Sequence, residues 1–147
     1  MCILLSFLNT DDILKDYKGL TEIFKDKKLA QFGDNFINFI YSLAKSIVLK
    51  SPEGWKVSAN VLSQAMREAE LRKYAPKRAS AHDIGDFAEA LTAYTWLSKL
   101  ITIEEATEIL SKNLEGGNFA DIKKEERTAV KAFTELFQKI KEKVDLK

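Results

Sequence analysis

Phe32-Gly-Asp-Asn-Phe-Ile-Asn-Phe39 and Ile84-Gly-Asp-Phe-Ala-Glu-Ala-Leu91 are the two stretches that decide how this chain folds. Between Leu29 and Ala44 the only charged residue is Asp34, and between Phe87 and Ser98 the only one is Glu89, with Asp86 just upstream. Phe32, Phe36, Ile37, Phe39, Ile40, Tyr41 and Leu43 surround the axis of the first helix, which implies burial on several sides rather than along one stripe. A lone carboxylate in such a setting is costly unless a cation, a metal ion or several hydrogen-bond donors accompany it. Residues three or four apart share a helical face, so Asp86 can converge with Glu89, and Asp34 with Asn38. Asp83 extends the second face by one step.

Spacing alone leaves a second reading open. Gly33-Asp34 and Gly85-Asp86 both resemble helix N-caps, in which an Asp accepts from free backbone N–H groups. Asp86-Phe-Ala-Glu89 even has the spacing of a capping box. Against a cap at 86, the apolar helical pattern begins near Ser80, which would itself cap well.

Working outward, helical periodicity dominates and glycine and proline are scarce. A short helix is predicted from Asp11 to about Lys18 and a further turn from Leu20 to Phe24. The first apolar helix spans about Lys28 to Leu49, with an interruption or cap at Gly33-Asp34. Ser51 to Trp55 is a loop, Ser58 to Lys73 an amphipathic helix, and Tyr74 to Arg78 a connector. The second apolar helix runs from Ser80 to about Leu100. Thr102-Ile-Glu-Glu105 has the spacing of a capping box and opens a helix to Leu114, which Glu115-Gly-Gly-Asn118 ends. Ile122 to Val144 is a long Lys/Glu-rich helix with Val130, Phe133, Leu136, Phe137, Ile140 and Val144 on one face. No alternating strand and no repeat interrupts this pattern. The expectation is an all-α fold, with residues 1–147 forming one domain.

Composition narrows the chemistry. The 147 residues, 46% hydrophobic and 31% charged, suit a single globular domain. Cys2 is the only cysteine and His82 the only histidine, so an internal disulfide, a cysteine cluster and any two-histidine site are excluded. Carboxylates, hydroxyls and basic side chains remain. The apolar run Met1 to Leu8 is too short to span a bilayer and lacks the marks of a signal peptide. It is expected to pack on the domain or a partner, with no membrane association and a cytoplasmic location. A net charge of +1 gives no global signature for nucleic acid, so any such site must be a local basic patch. Arg67, Arg72, Lys73, Lys77 and Arg78 set five basic residues against Glu68 and Glu70. Lys45, Lys50 and Lys56 are further candidates, although such charges are more often an ordinary solvated face.

The two apolar motifs also carry a family resemblance. Phe32-Gly-Asp-Asn-Phe-Ile-Asn-Phe39 resembles the first signature of the ribonuclease III family, and Ile84-Gly-Asp-Phe-Ala-Glu-Ala-Leu91 with Ala93-Tyr-Thr-Trp-Leu97 resembles its second. Their order and separation match, clearly over about residues 25–100. The resemblance implies a ribonuclease III-like helical endonuclease domain that hydrolyses double-stranded or structured RNA with magnesium, or manganese in its place. Asp34, Asp86 and Glu89 are then the catalytic, metal-binding acids, with Asn38 and Asp83 as supporting residues. Lys45, Lys56, Arg67, Arg72, Lys73, Lys77 and Arg78 are the candidate RNA contacts. The chain departs from the full-length enzymes at Ala30, where they carry a further glutamate. It is similar there to the minimal form, Mini-ribonuclease III, which lacks a separate double-stranded-RNA-binding domain. Members act as homodimers, and the apolar excess around Phe36, Ile40 and the N-terminal run suits an interface or a core. Two alternatives stand beside this: a non-catalytic RNA-binding or assembly module with a degraded metal site, and a helical protein unrelated to RNA whose Gly-Asp pairs are caps.

Overall fold

Six α-helices account for most of residues 9–144, the part of the chain that the computed structural model describes. They are α1 (Leu20–Lys25), α2 (Lys27–Leu49), α3 (Ala59–Glu68), α4 (Ala81–Leu97), α5 (Ile103–Leu114) and α6 (Ile122–Val144), with one 3₁₀ turn at Arg72–Tyr74. No strand occurs among the described residues, so the expected all-α class holds. Met1 to Leu8 lie outside the described residues.

The helix starts follow from side chains that accept the first free backbone N–H groups. Asp26 accepts from Leu29 N at 3.1 Å to open α2, and Ser58 accepts from Val61 N at 3.2 Å to open α3. Ser80 and Asp83 form a reciprocal capping box at the start of α4, with bonds of 3.0 and 3.1 Å. Thr102 opens α5 by accepting from Glu105 N at 3.0 Å.

The helix ends are less orthodox. α3 stops at Glu68 rather than Lys73, because Glu70 takes a left-handed conformation with φ 63°. Leu71 N then bonds back to Met66 O at 2.8 Å and Glu70 N to Arg67 O at 3.0 Å. This is the paired closure usually built around glycine, with buried Leu71 as its apolar contact. α4 ends the same way: Lys99 has φ 63°, and Leu100 N bonds to Thr95 O at 3.0 Å.

The helix expected at Asp11–Lys18 does not form. Asn9 Oδ1 accepts from Asp11 N at 3.1 Å, and a single turn closes from Ile13 N to Thr10 O at 3.1 Å. Such local side-chain bonds compete with a helix ladder. Beyond the turn the segment is drawn along the core by Tyr17, which meets Tyr94 edge-on with ring centres 5.8 Å apart.

α4 is the central element: it packs against α1, α2, α3 and α6, while α5 packs on α2 and α6. Its Phe87, Leu91 and Leu97 are fully buried, as are Ile37, Ile40 and Tyr41 of α2, Met66 of α3, and Phe133 and Phe137 of α6. Gly33 sits inside α2, not at its end, where a methyl group would overlap the backbone carbonyl of Glu89. Gly85 likewise lies within α4, and a methyl there would come 3.1 Å from Ala59 Cβ. The two glycines let α2 and α3 approach α4 closely. Neither Gly-Asp pair is a cap.

Candidate metal centre and active site

Close approach of α2 to α4 at Gly33 brings the stranded acids together. Asp34 from α2 and Asp86 and Glu89 from α4 line one cleft of about 460 Å³, closed on the far side by Lys56 to Ala59 leading into α3. Ala30 adds only a methyl to this lining.

Asp34 and Glu89 meet carboxyl to carboxyl and share a hydrogen bond. Two ionised acids cannot share that space, so one must hold a proton. Burial, first, and then the bond and charge of Asp34 push the Glu89 pKa up to about 8. Asp34 moves the opposite way, held below the usual carboxylate range chiefly by the hydrogen bond from Glu89, with help from Lys56 and Asn38. At neutral pH Glu89 therefore carries the proton and Asp34 the charge.

Basic groups balance the acids at the rim. Lys56 Nζ lies 3.5 Å from Asp34 Oδ2. Lys27 Nζ lies 3.2 Å from Asp86 Oδ2, and His82 Nε2 lies 3.6 Å from the same oxygen. The side chains of Lys27 and Lys56 are 62% and 78% exposed, against 21% and 35% for the acids that they meet. Both ammonium groups are free to swing away. Asn38 donates from Nδ2 to Asp34 Oδ1 at 3.1 Å.

Among the described residues no three acid, histidine or cysteine groups stand as a ready-made ligand shell. Asp86 is turned to Lys27, and the Asp34 and Glu89 carboxyls face each other. The donor set nonetheless fits a hard divalent ion. Magnesium takes oxygen ligands, binds through one or two carboxylates and keeps waters and substrate oxygens for its other positions. A carboxyl pair that must share a proton when no cation lies between its members is the matching chemistry.

The remaining expected residues divide. Lys56 is in the cleft. Arg67, Lys73, Lys77 and Arg78 are exposed and do not line the cleft, with Lys73 Nζ resting 5.5 Å from the ring centre of Tyr74. Lys45 is not a surface residue at all: it is buried and paired with Glu125 at 2.9 Å, lying over the rings of Trp55 and Phe119. Arg72, half-buried, spends its guanidinium on the carbonyls of Pro76, Lys77 and Ala79 at 3.1–3.3 Å and so holds the connector. Asp83 is committed to the α4 capping box. Phe36 and Ile40, which suited either an interface or a core, are both core residues. Lys27 and His82 were not expected. Their signal was present, since both lie on the faces of the acids, at seven residues before Asp34 and four before Asp86.

No curated protein matches the chain. The family model described as Ribonuclease III matches residues 27–146, a span that begins with Lys27 at the cleft and takes in all three acids. With that match over most of a chain whose elements, among the described residues, are all helical, the protein belongs to the ribonuclease III family.

Proposed function

We propose that this protein is a metal-dependent endoribonuclease that hydrolyses phosphodiester bonds in double-stranded or structured RNA. The observation that carries the reading is the convergence of Asp34 from α2 with Asp86 and Glu89 from α4 in one cleft. Asp34, Asp86 and Glu89 would hold the ion, magnesium or manganese. When bound, such an ion supplies charge neutralisation at the scissile phosphate and lowers the pKa of an attacking water. For the chain's own part, Glu89 would serve as a ligand in its ionised form, and Asn38, bonded to Asp34, would keep that carboxylate turned into the cleft. Lys27 and Lys56, exposed at the rim, would face the phosphates of the duplex. Duplex RNA is read by shape through phosphates and 2′-hydroxyls, and two mobile lysines at a cleft rim suit that mode.

A homodimer, as the family membership suggests, would need a self-complementary surface, and α2 offers a candidate. Phe32 and Phe39 are 38% and 54% exposed, and with Leu43 and Ile47 they follow one face of α2. Trp96 of α4 stacks on Phe32 and Phe36 beside them. An exposed aromatic stripe of this kind suits an isologous homodimer contact. The same proposal puts the protein in the cytoplasm, and no described helix is long and apolar enough to cross a membrane.

One observation favours a second reading, a non-catalytic RNA-binding or assembly module: Lys27 occupies Asp86 where Ala30 brings no acid of its own. Cleavage of long duplex RNA, with magnesium and with chelator, separates the two. The nuclease reading expects magnesium-dependent cleavage that Glu89→Gln abolishes. Cleavage that survives Glu89→Gln, or no cleavage and no manganese binding by the native protein, overturns it.

A further inference from the structure

Three polar residues of α2 stand one turn apart, Asn38, Ser42 and Ser46, and each accepts a backbone N–H from the segment that leads into α3. Asn38 Oδ1 accepts from Val57 N at 2.8 Å, Ser42 Oγ from Trp55 N at 3.0 Å, and Ser46 Oγ from Glu53 N at 2.8 Å. The register has a simple origin. Four residues of helix rise about 6 Å, and two residues of extended chain advance about 6.6 Å. An extended segment running antiparallel to the helix therefore offers every second N–H to every fourth side chain. Exposure alternates accordingly: Gly54 and Lys56 are exposed, while Glu53 and Trp55 are half-buried and Val57 is buried.

The ladder fixes where Lys56 stands. Its last rung, Asn38, is the one that also donates to Asp34, from Nδ2 at 3.1 Å, and Lys56 Nζ reaches the other oxygen of the same carboxylate at 3.5 Å. The amide orientation is determined by its two partners, because the Val57 N–H requires an acceptor and the ionised carboxylate a donor.

We infer that Asn38 is a positioning residue: through one side chain it orients the metal-binding carboxylate of Asp34 and registers the segment that carries Lys56 against it. The inference rests on the metal-centre reading above. Outer groups of this kind, hydrogen-bonded to a metal-binding carboxylate, typically contribute a factor of 10–100 to metal affinity.

The test uses the full chain, manganese titration by calorimetry and amide hydrogen exchange without metal, in Asn38→Ala and Ser46→Ala. Asn38→Ala is expected to weaken manganese binding about tenfold and to speed exchange at Val57. Ser46→Ala, at the far end of the ladder, is expected to speed exchange at Glu53 while manganese affinity stays within about twofold, since Ser46 bonds to none of the three cleft acids. Native manganese affinity in Asn38→Ala overturns the inference, as does unchanged protection of Val57. If the native protein binds no manganese, the metal-centre reading fails first and the inference with it. Equal loss of affinity in both variants overturns it as well, assigning the effect to general loosening of the segment.

Discussion

Gly33 lies directly against the backbone carbonyl of Glu89, so the first acid-bearing helix touches the second at the residue where the cleft is made. A methyl group at Gly33 would overlap that carbonyl, and neither partner is a flexible side-chain tip that could yield. Gly33→Ala is therefore expected to destabilise the fold by about 1–3 kcal/mol, despite the roughly 1 kcal/mol that alanine gains over glycine in a helix. It should also part Asp34 from Glu89 and abolish manganese binding. Gly85→Ala is the comparison. There the added methyl meets Ala59 at 3.1–3.2 Å, a conflict of a few tenths of an ångström that the helix-propensity gain nearly offsets. Urea denaturation should find that variant within about 1 kcal/mol of the native protein. Equal stability of the two alanine variants would refute the argument from close approach.

Helix starts and the acid cluster could be read in the sequence because they depend on local chemistry. Ser80, Thr102 and Ser58 are capping residue types, and lone charges in apolar helices stand out. Helix ends were harder. α3 and α4 finish on left-handed Glu70 and Lys99, and neither residue type announces a stop as glycine does. Lys45 was misassigned for a similar reason. Its carboxylate partner, Glu125, is far away in sequence, and only the packing of α6 on α2 discloses that the charge is buried. The ladder at Asn38, Ser42 and Ser46 likewise needed the fold, since three polar residues four apart on a helix ordinarily face water.

Proton sharing between Asp34 and Glu89 predicts a pH dependence. The Glu89 pKa is raised by burial and by Asp34 to about 8 in the folded protein, well above an ordinary unfolded glutamate. The folded state therefore holds more protons than the unfolded one between about pH 4.5 and 8, so this group lowers stability progressively as pH rises through that window. Asp34, shifted down, has the opposite sign and acts only in the acid range. Thermal unfolding from pH 5 to 9 should show a slope that Glu89→Gln reduces. Manganese affinity should rise about tenfold per pH unit below pH 8, because loading releases one proton, and level off above it. Affinity that does not vary between pH 6 and 8 would rule out the shared proton.

The buried pair of Lys45 and Glu125 is a matter of stability rather than RNA binding. Glu125 receives Lys45 at 2.9 Å and the Tyr41 hydroxyl at 2.9 Å, which ties α6 to α2. Glu125→Ala leaves an unpartnered buried ammonium and should cost about 3–5 kcal/mol. Replacing both partners, Lys45→Met with Glu125→Leu, should recover part of that loss, since an apolar pair avoids desolvating two charges but leaves the buried Tyr41 hydroxyl without its acceptor. Duplex RNA affinity and its salt dependence should be the same in the double variant as in the native protein. A shallower salt slope would restore Lys45 as an RNA contact.

The exposed stripe on α2 sets the last expectation. Phe39 is 54% exposed and Ile47 55%, and with Phe32 and Leu43 they repeat at the spacing of one helical face. Stacking of Phe32 and Phe36 on Trp96 stiffens the patch, so little side-chain freedom is left to lose when a second copy covers it. Phe39→Lys places a charge at the centre of that contact, where two-fold symmetry brings its own copy near. Sedimentation equilibrium should return twice the 16.7 kDa chain mass for the native protein and the single-chain mass for Phe39→Lys. Ile122→Lys supplies the control: Ile122 is 71% exposed but belongs to α6 and not to the α2 stripe, and the variant should remain dimeric. If Phe39→Lys leaves the mass unchanged, the partner copy sits elsewhere, and the stripe must be assigned to a different contact.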